Sequence, residues 1–354
     1  MKRLIAIVGF ALLTVACAAA AEPPAAPAAG RYWVCVSNER SGDVTVIDPA
    51  AKKVVASIPA GKRPRGIHAA PDGKTLYVAL SGSPILGPPK LDAKGTPVLP
   101  KDSEGDRKED GIGVIDLRQG KLVKKIPTGT DPEEFTVAPD GKRLYVSNED
   151  AATMSVLNVA DGRVEAVVKV KPEPEGVALA PGGKLIYVTC ETKGEVFVID
   201  AKTHKVAAEI AVGGRPRTAA FLPDGSKAFI PSETAGTVAV VDTKKHKVLE
   251  RIRLPEGSRP MGTVVSRDGK RLFVSNGRAG TVSVVDTSAG KVLHTIKVGE
   301  RPWGIALSPD GKKLFVANGP SDDVSVVDVE GAKEVGRIKA GRSPWGVAVV
   351  SASE

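Results

Sequence analysis

The sequence predicts an all-β protein, a seven-bladed β-propeller with four antiparallel strands per blade, and three observations carry that prediction. The turn Pro71-Asp72-Gly73 recurs as Pro139-Asp140-Gly141, Pro181-Gly182-Gly183, Pro223-Asp224-Gly225, Arg267-Asp268-Gly269 and Pro309-Asp310-Gly311, at steps of 68, 42, 42, 44 and 42 residues. A second marker closes an alternating run at Asp48, Asp116, Asn158, Asp200, Asp242, Asp286 and Asp328, at steps of 68, 42, 42, 42, 44 and 42. A period near 42 residues used seven times is the mark of a repeat architecture. The third observation is composition: 38 Gly and 27 Pro among 354 residues, as many short strands and tight turns require. No amphipathic helical pattern interrupts the strands.

Each unit holds four strand-like runs. In the sixth these are Gly304–Leu307 (A), Lys313–Ala317 (B), Val324–Val327 (C) and Lys333–Ile338 (D). Val, Ile, Leu and Tyr or Phe dominate, and the blade interfaces are expected to be aliphatic rather than aromatic. The chain enters its first sheet at strand B (Tyr32–Ser37), continues through Val44–Ile47 and Val54–Ile58, and ends on a lone strand A, Gly346–Val350. That final strand can complete the first sheet, closing the ring and removing exposed edges. The propeller thus spans residues 31–354, with an insertion at 81–110 whose prolines and charges fit a lid, a docking loop or a simply mobile segment.

Residues 1–21 read as a signal peptide: Lys2 and Arg3, an apolar stretch Leu4–Val15, then small residues to Ala21. Lipoprotein processing at Cys17 is the alternative. A Pro/Ala-rich leader follows over 22–30. The periplasm is the expected compartment, with no transmembrane segment in the mature chain and a monomer as the expected state. The formal charge of +9 falls to +7 without Lys2 and Arg3, a mild excess spread along the chain. Nucleic acid is not expected as a partner on that charge. Three cysteines exclude a disulfide scaffold, and no histidine trio, Cys-x-x-Cys-His or Gly-x-Ser-x-Gly elbow is present.

Strand B pieces Leu144-Tyr145-Val146-Ser147-Asn148 and Leu272-Phe273-Val274-Ser275-Asn276, with Arg301-Pro302-Trp303-Gly304-Ile305-Ala306-Leu307-Ser308-Pro309-Asp310-Gly311, resemble the YVTN family of β-propeller repeats. The order is similar to an exported subgroup associated with quinone (PQQ)-dependent catabolism. That resemblance implies a periplasmic or surface protein and no agreed catalytic residues. Cys190 and Ser232 depart from the motif's asparagine, and Asn158 from its aspartate.

Function has to come from a site, because propellers host many activities. The residue after each entry proline rings the channel mouth: Arg65, Glu133, Glu175, Arg217, Met261, Trp303 and Trp345. The tryptophans suit stacking of a planar or cationic ligand, and the arginines suit a carboxylate. The strand-B ends add Glu39, Glu149, Glu191 and Glu233, and inner strand A of the first full blade adds His68. Four glutamates suit a divalent cation such as Ca2+, although no cofactor is required by the sequence. Cys190 and Met261 are too few for a soft-metal site. The reading favoured on these residues is a non-catalytic exported protein that binds a small molecule or periplasmic partner at the mouth, accessory to a PQQ- or quinone-dependent pathway. The alternatives are a metal-assisted lactonase using Glu133, Glu175, Arg65 and Arg217, and a single-stranded nucleic-acid binder.

Overall fold

The computed structural model describes residues 31–85, 90–91, 97–98 and 105–351. The signal peptide, the leader and most of the insertion lie outside the described residues. Among the described residues the chain forms seven antiparallel four-stranded sheets; six run in chain order from the innermost strand A to the outermost strand D, and in the seventh the innermost strand is the last of the chain, beside the first. Blade 1 comprises Ile67–Ala69, Thr75–Leu80, Gly111–Asp116 and Lys121–Ile126. Blade 2 follows as Pro132–Val137, Arg143–Asn148, Thr153–Asn158 and Val164–Lys169. Blade 7 joins the two ends of the chain: Pro344–Ser351 pairs with Tyr32–Asn38, with Cys35 opposite Ala348. The expected closure is therefore the observed one.

Strands B and C are covered on both sides by neighbouring blades, so they are continuous apolar runs. Leu144–Asn148 is buried throughout. Strand D is the sheet edge; Lys247–Arg253 alternates, with Ile252 as its only fully buried member. Lysines and arginines on these edges discourage pairing between molecules. The seven markers Asp48 through Asp328 are structural. Asp116 Oδ1, for example, accepts the amides of Arg118 and Gln119, closing the C–D turn.

The blade interfaces differ from expectation in one respect. One strand-B position carries Tyr77, Tyr145, Tyr187, Phe229, Phe273 and Phe315 in six blades, each at most 4% exposed. Wedge-shaped gaps between twisted sheets need a large, rigid side chain, which aliphatics alone do not supply. Cys35 takes this position in blade 7, where Trp33 two residues earlier joins the same core.

In four of the seven blades a hydroxyl two residues further along strand B staples the blade to the next, whereas Ala79, Pro231 and Ala317 hold the position in the others. Ser147 Oγ reaches the Glu175 carbonyl at 2.8 Å, Thr189 that of Arg217 at 3.0 Å and Ser275 that of Trp303 at 2.6 Å, while Ser37 bonds the Arg65 carbonyl. Every acceptor is a residue of the predicted mouth. Ser147 also accepts the Glu134 amide at 3.1 Å. Ser147→Ala strands these buried groups, and such an orphan costs about 1–3 kcal/mol. Urea denaturation should show that loss of free energy as a lower midpoint at unchanged slope; an unaltered midpoint would mean the staple is dispensable.

Candidate functional site

The mouth is built by a repeated distortion where each chain segment enters strand A. The residue before the entry proline has a left-handed backbone in all seven blades: Arg63, Asp131, Glu173, Arg215, Arg259, Arg301 and Ser343, with φ between 42° and 60°. Such conformations in non-glycine residues are strained and persist only where the surroundings hold them. Here the carbonyl of the strained residue is held by the strand-B end of its own blade. Asp131 accepts from Glu149 N, Glu173 from Glu191 N, Arg215 from Glu233 N and Ser343 from Glu39 N, each at 2.9 Å. After the proline the ladder slips in blades 2, 3, 5 and 6, between Pro132 and Phe135 for instance. This bulge swings the residue after the proline out of the sheet and toward the channel. The next residue is glycine in five blades because the neighbouring strand passes too close: a Cβ on Gly304 would lie 2.7 Å from the Trp345 carbonyl.

Two ion-pair networks occupy one side of the mouth. In the first, Arg65 bonds Glu39 at 3.1 Å and pairs with Glu133, while Arg63 bonds Glu39 at 3.3 Å and approaches Asp131 at 3.6 Å. In the second, Arg217 pairs with Glu175 at 2.9 Å, with Glu191 and with Glu233, and Arg215 adds a contact to Glu191. Burial opposes the charge on Arg217, yet three carboxylates outweigh it and hold the guanidinium firmly protonated. Burial likewise raises Glu175, but Arg217 and Arg65 overcome that and keep it ionised. Burial and the Glu175 charge push Glu191 upward. Buried networks of this kind preorganise a site more than they stabilise a fold.

Glu149 is different. It has no ion pair or side-chain hydrogen bond among the described residues, and it lines a cavity of about 610 Å³ at the mouth. Burial, Glu175 and Asp131 together raise its carboxyl to about 7. Its oxygens and those of Asp131 and Glu133 fall within 4.8 Å of one another, the closest carboxylate grouping among the described residues. A cation there would compete with Arg63 and Arg65 for two of the three. Arg40, Arg301 and Arg342 line the same cavity and have no carboxylate partner among the described residues. Trp303 and Trp345 stack at 5.2 Å between centroids and 27° between planes. Arg217 and Arg301 lie 5.4 Å and 5.2 Å from the Trp303 ring.

Of the residues singled out in the sequence, the structure brings Arg65, Glu175, Arg217, Trp303, Trp345, Glu39, Glu149 and Glu191 together on one cavity. Glu133 is wholly buried behind Arg65, and Met261 is 3% exposed beneath the rim. Glu233 sits in an adjacent groove with Arg259 and Met261. The four strand-B glutamates do not converge, because Arg63, Arg65, Arg215 and Arg217 divide them. His68 is not on this rim: it lines a separate cavity farther down the channel. Strand A runs away from the mouth, and the four residues after the entry proline Pro64, Arg65 to His68, carry the chain past the waist. Cys190 turns from the mouth into the core between blades 2 and 3, where burial pushes its thiol up to about 12. The pre-proline ring was missed, and its signal was available: Arg63, Asp131, Glu173, Arg215, Arg259 and Arg301 are all charged residues at one repeat position.

Comparison with known proteins gives a family match and remote structural likenesses. The model of the family described as "Lactonase, 7-bladed beta-propeller" matches residues 34–180 and 174–344. Antigen Lp49 of Leptospira interrogans is 32% identical over 140 residues, which span 33% of this chain and 31% of that relative. The hydrazine synthase structure from Kuenenia stuttgartiensis superimposes with a TM-score of 0.67 at 22% identity, covering 80% of this chain and 89% of that one. A Bacteroides uniformis structure described as a "putative 6-phosphogluconolactonase" gives 0.72 at 18% identity, covering 90% and 99%. At these identities the structures attest the fold. The family match overturns the non-catalytic reading favoured by the residues alone, and it agrees with the hydrolase alternative. That reading failed because a propeller repeat encodes its scaffold loudly and its chemistry only at unlike positions scattered around the rim.

The charge state of Glu149 can be read directly. Its carboxyl carbon, followed by NMR, should titrate near pH 7. Asp131→Asn or Glu175→Gln removes a repelling charge and should bring the midpoint down toward the usual carboxylate range. A wild-type midpoint near 4 would show that the crowding is relieved in solution.

Proposed function

The chain belongs to the lactonase, 7-bladed beta-propeller family, and from that premise we propose that its mouth hydrolyses a negatively charged lactone. One observation carries the reading: a carboxylate, Glu149, and three guanidiniums, none with an ion-pair partner among the described residues, share a cavity of about 610 Å³ with a tryptophan face. Arg301, Arg342 and Arg40 receive the anionic arm, and the lactone ring lies against Trp303. Glu149 takes a proton from water as its oxygen attacks the ring carbonyl carbon. The guanidinium field, with Arg217 locked by three acids, stabilises the developing oxyanion. The ring C–O bond then breaks, and the proton passes to the departing alkoxide to leave a hydroxy acid.

The N-terminal charged and apolar run supports an exported, periplasmic enzyme. The YVTN-like pieces Leu144–Asn148 and Leu272–Asn276 support a place among the exported propellers linked to PQQ-dependent catabolism. The name of the Bacteroides relative suggests a phosphorylated sugar lactone as the first compound to try.

Hydrolysis of 6-phosphogluconolactone, a carboxylated γ-lactone and their uncharged counterparts should be followed by acid release. Turnover should favour the charged compounds. Glu149→Gln should lower kcat by about 10²-fold or more, as loss of a general base does. Arg301→Ala with Arg342→Ala should raise KM for the charged compounds alone. Turnover abolished by a chelator and restored by Ca2+ would replace Glu149 as base with a bound cation. No turnover of any lactone would overturn the reading.

A further inference from the structure

The channel has a second cavity, of about 420 Å³, beyond the waist formed by Glu134, Thr218, Met261, Trp303 and Trp345. Its walls are mostly the apolar inner strands, including Ile67, Leu179, Phe221 and Val347, with the hydroxyls of Thr136, Thr218 and Thr263. Two ionisable groups among the described residues face it, and they touch: His68 Nε2 lies 2.8 Å from Glu134 Oε1. Both break the repeat. The position of Glu134 is glycine in blades 1, 3, 5, 6 and 7, so the sequence spends a large charged residue where the scaffold calls for none.

The pair is held in place. Glu134 Oε1 also accepts the Phe135 amide at 2.9 Å, which fixes the carboxylate. The His68 ring meets Phe135 edge to face at 4.8 Å, which fixes the imidazole plane. The imidazole remains 40% exposed to the cavity. A carboxylate that accepts Nε2–H leaves Nδ1 as the nitrogen with a lone pair, and Nδ1 has no partner among the described residues. This is the arrangement of a general base and its orienting acid.

We propose that this cavity is a second hydrolytic site, separate from the mouth, in which the His68–Glu134 dyad activates water against an uncharged lactone or ester. The substrate class follows from the walls: they carry no lysine or arginine among the described residues, so an anion would meet Glu134 without a counter-charge. Water oxygen bonds to the carbonyl carbon while its proton moves to His68 Nδ1. The acyl C–O bond breaks, and the imidazolium returns the proton to the departing alkoxide. The product is a hydroxy acid, or an acid and an alcohol, and no other reactant is consumed. His68 is the catalytic residue and Glu134 the positioning residue.

The test uses dihydrocoumarin, a neutral aromatic lactone, with the full-length mature protein. Wild type should hydrolyse it, and a saturating carboxylated γ-lactone should leave that turnover uninhibited. His68→Gly should lower kcat by about 10²-fold or more, and added imidazole should restore part of it, which a merely structural histidine would not allow. Should His68→Gly melt early, Glu134→Gln reads the same dyad: kcat falls while KM stays. Competitive inhibition by the charged lactone would put the chemistry at the mouth and overturn the inference. So would absent turnover, or variants with full activity. Failure at the mouth is read separately, on the charged lactones.

Discussion

Everything in this molecule depends on the pairing of Pro344–Ser351 with Tyr32–Asn38. Without that ladder the repeats form an open stack with two sticky edges, and no position in one blade faces its equivalent in another. With it, residues more than 300 positions apart become neighbours: Gly346 N donates to Ser37 Oγ at 2.9 Å. Ring closure turns a sequence period into a rim. The strand-B hydroxyls then tie that rim to the core, because Ser147, Thr189 and Ser275 bond the carbonyls of the mouth residues themselves.

The rim is electrostatically divided. Between blades 7 and 4, buried carboxylates and Arg65 and Arg217 neutralise one another at close range. Removing charges from water is costly, and these networks offset that cost by mutual pairing rather than adding stability. Toward blades 6 and 7, Arg40, Arg301 and Arg342 stand near a stacked tryptophan pair without acidic partners among the described residues. Such asymmetry in a symmetric scaffold suits a charged ligand held in one orientation, and Glu149 stands there without a cation partner among the described residues. The strained backbone before each entry proline holds these side chains at the mouth, and such strain persists only where the surrounding structure over-determines it.

The two ends of the channel differ in kind. The mouth is polar, wide and rich in guanidinium, whereas the far cavity is apolar apart from the His68–Glu134 pair and threonine hydroxyls. The waist between them is narrow because the inner strands approach to the limit that glycine allows. A single tryptophan, Trp345, borders the mouth, the waist and the far cavity.

Local sequence determined the scaffold. Turn chemistry at Pro-Asp-Gly, the aspartates closing strand C and period-two alternation are properties of a few neighbouring residues, so the blade count and the closure are legible in the sequence. The post-proline ring was legible too, since equivalent repeat positions occupy equivalent places. What the tertiary structure alone decided was which charges pair, and therefore which remain available. Whether Glu149 or Glu191 has an arginine depends on distances of a few ångströms between blades, and no repeat register encodes them. The same holds for His68 and Glu134: 66 residues apart in the chain, they meet only because adjacent inner strands converge on one axis.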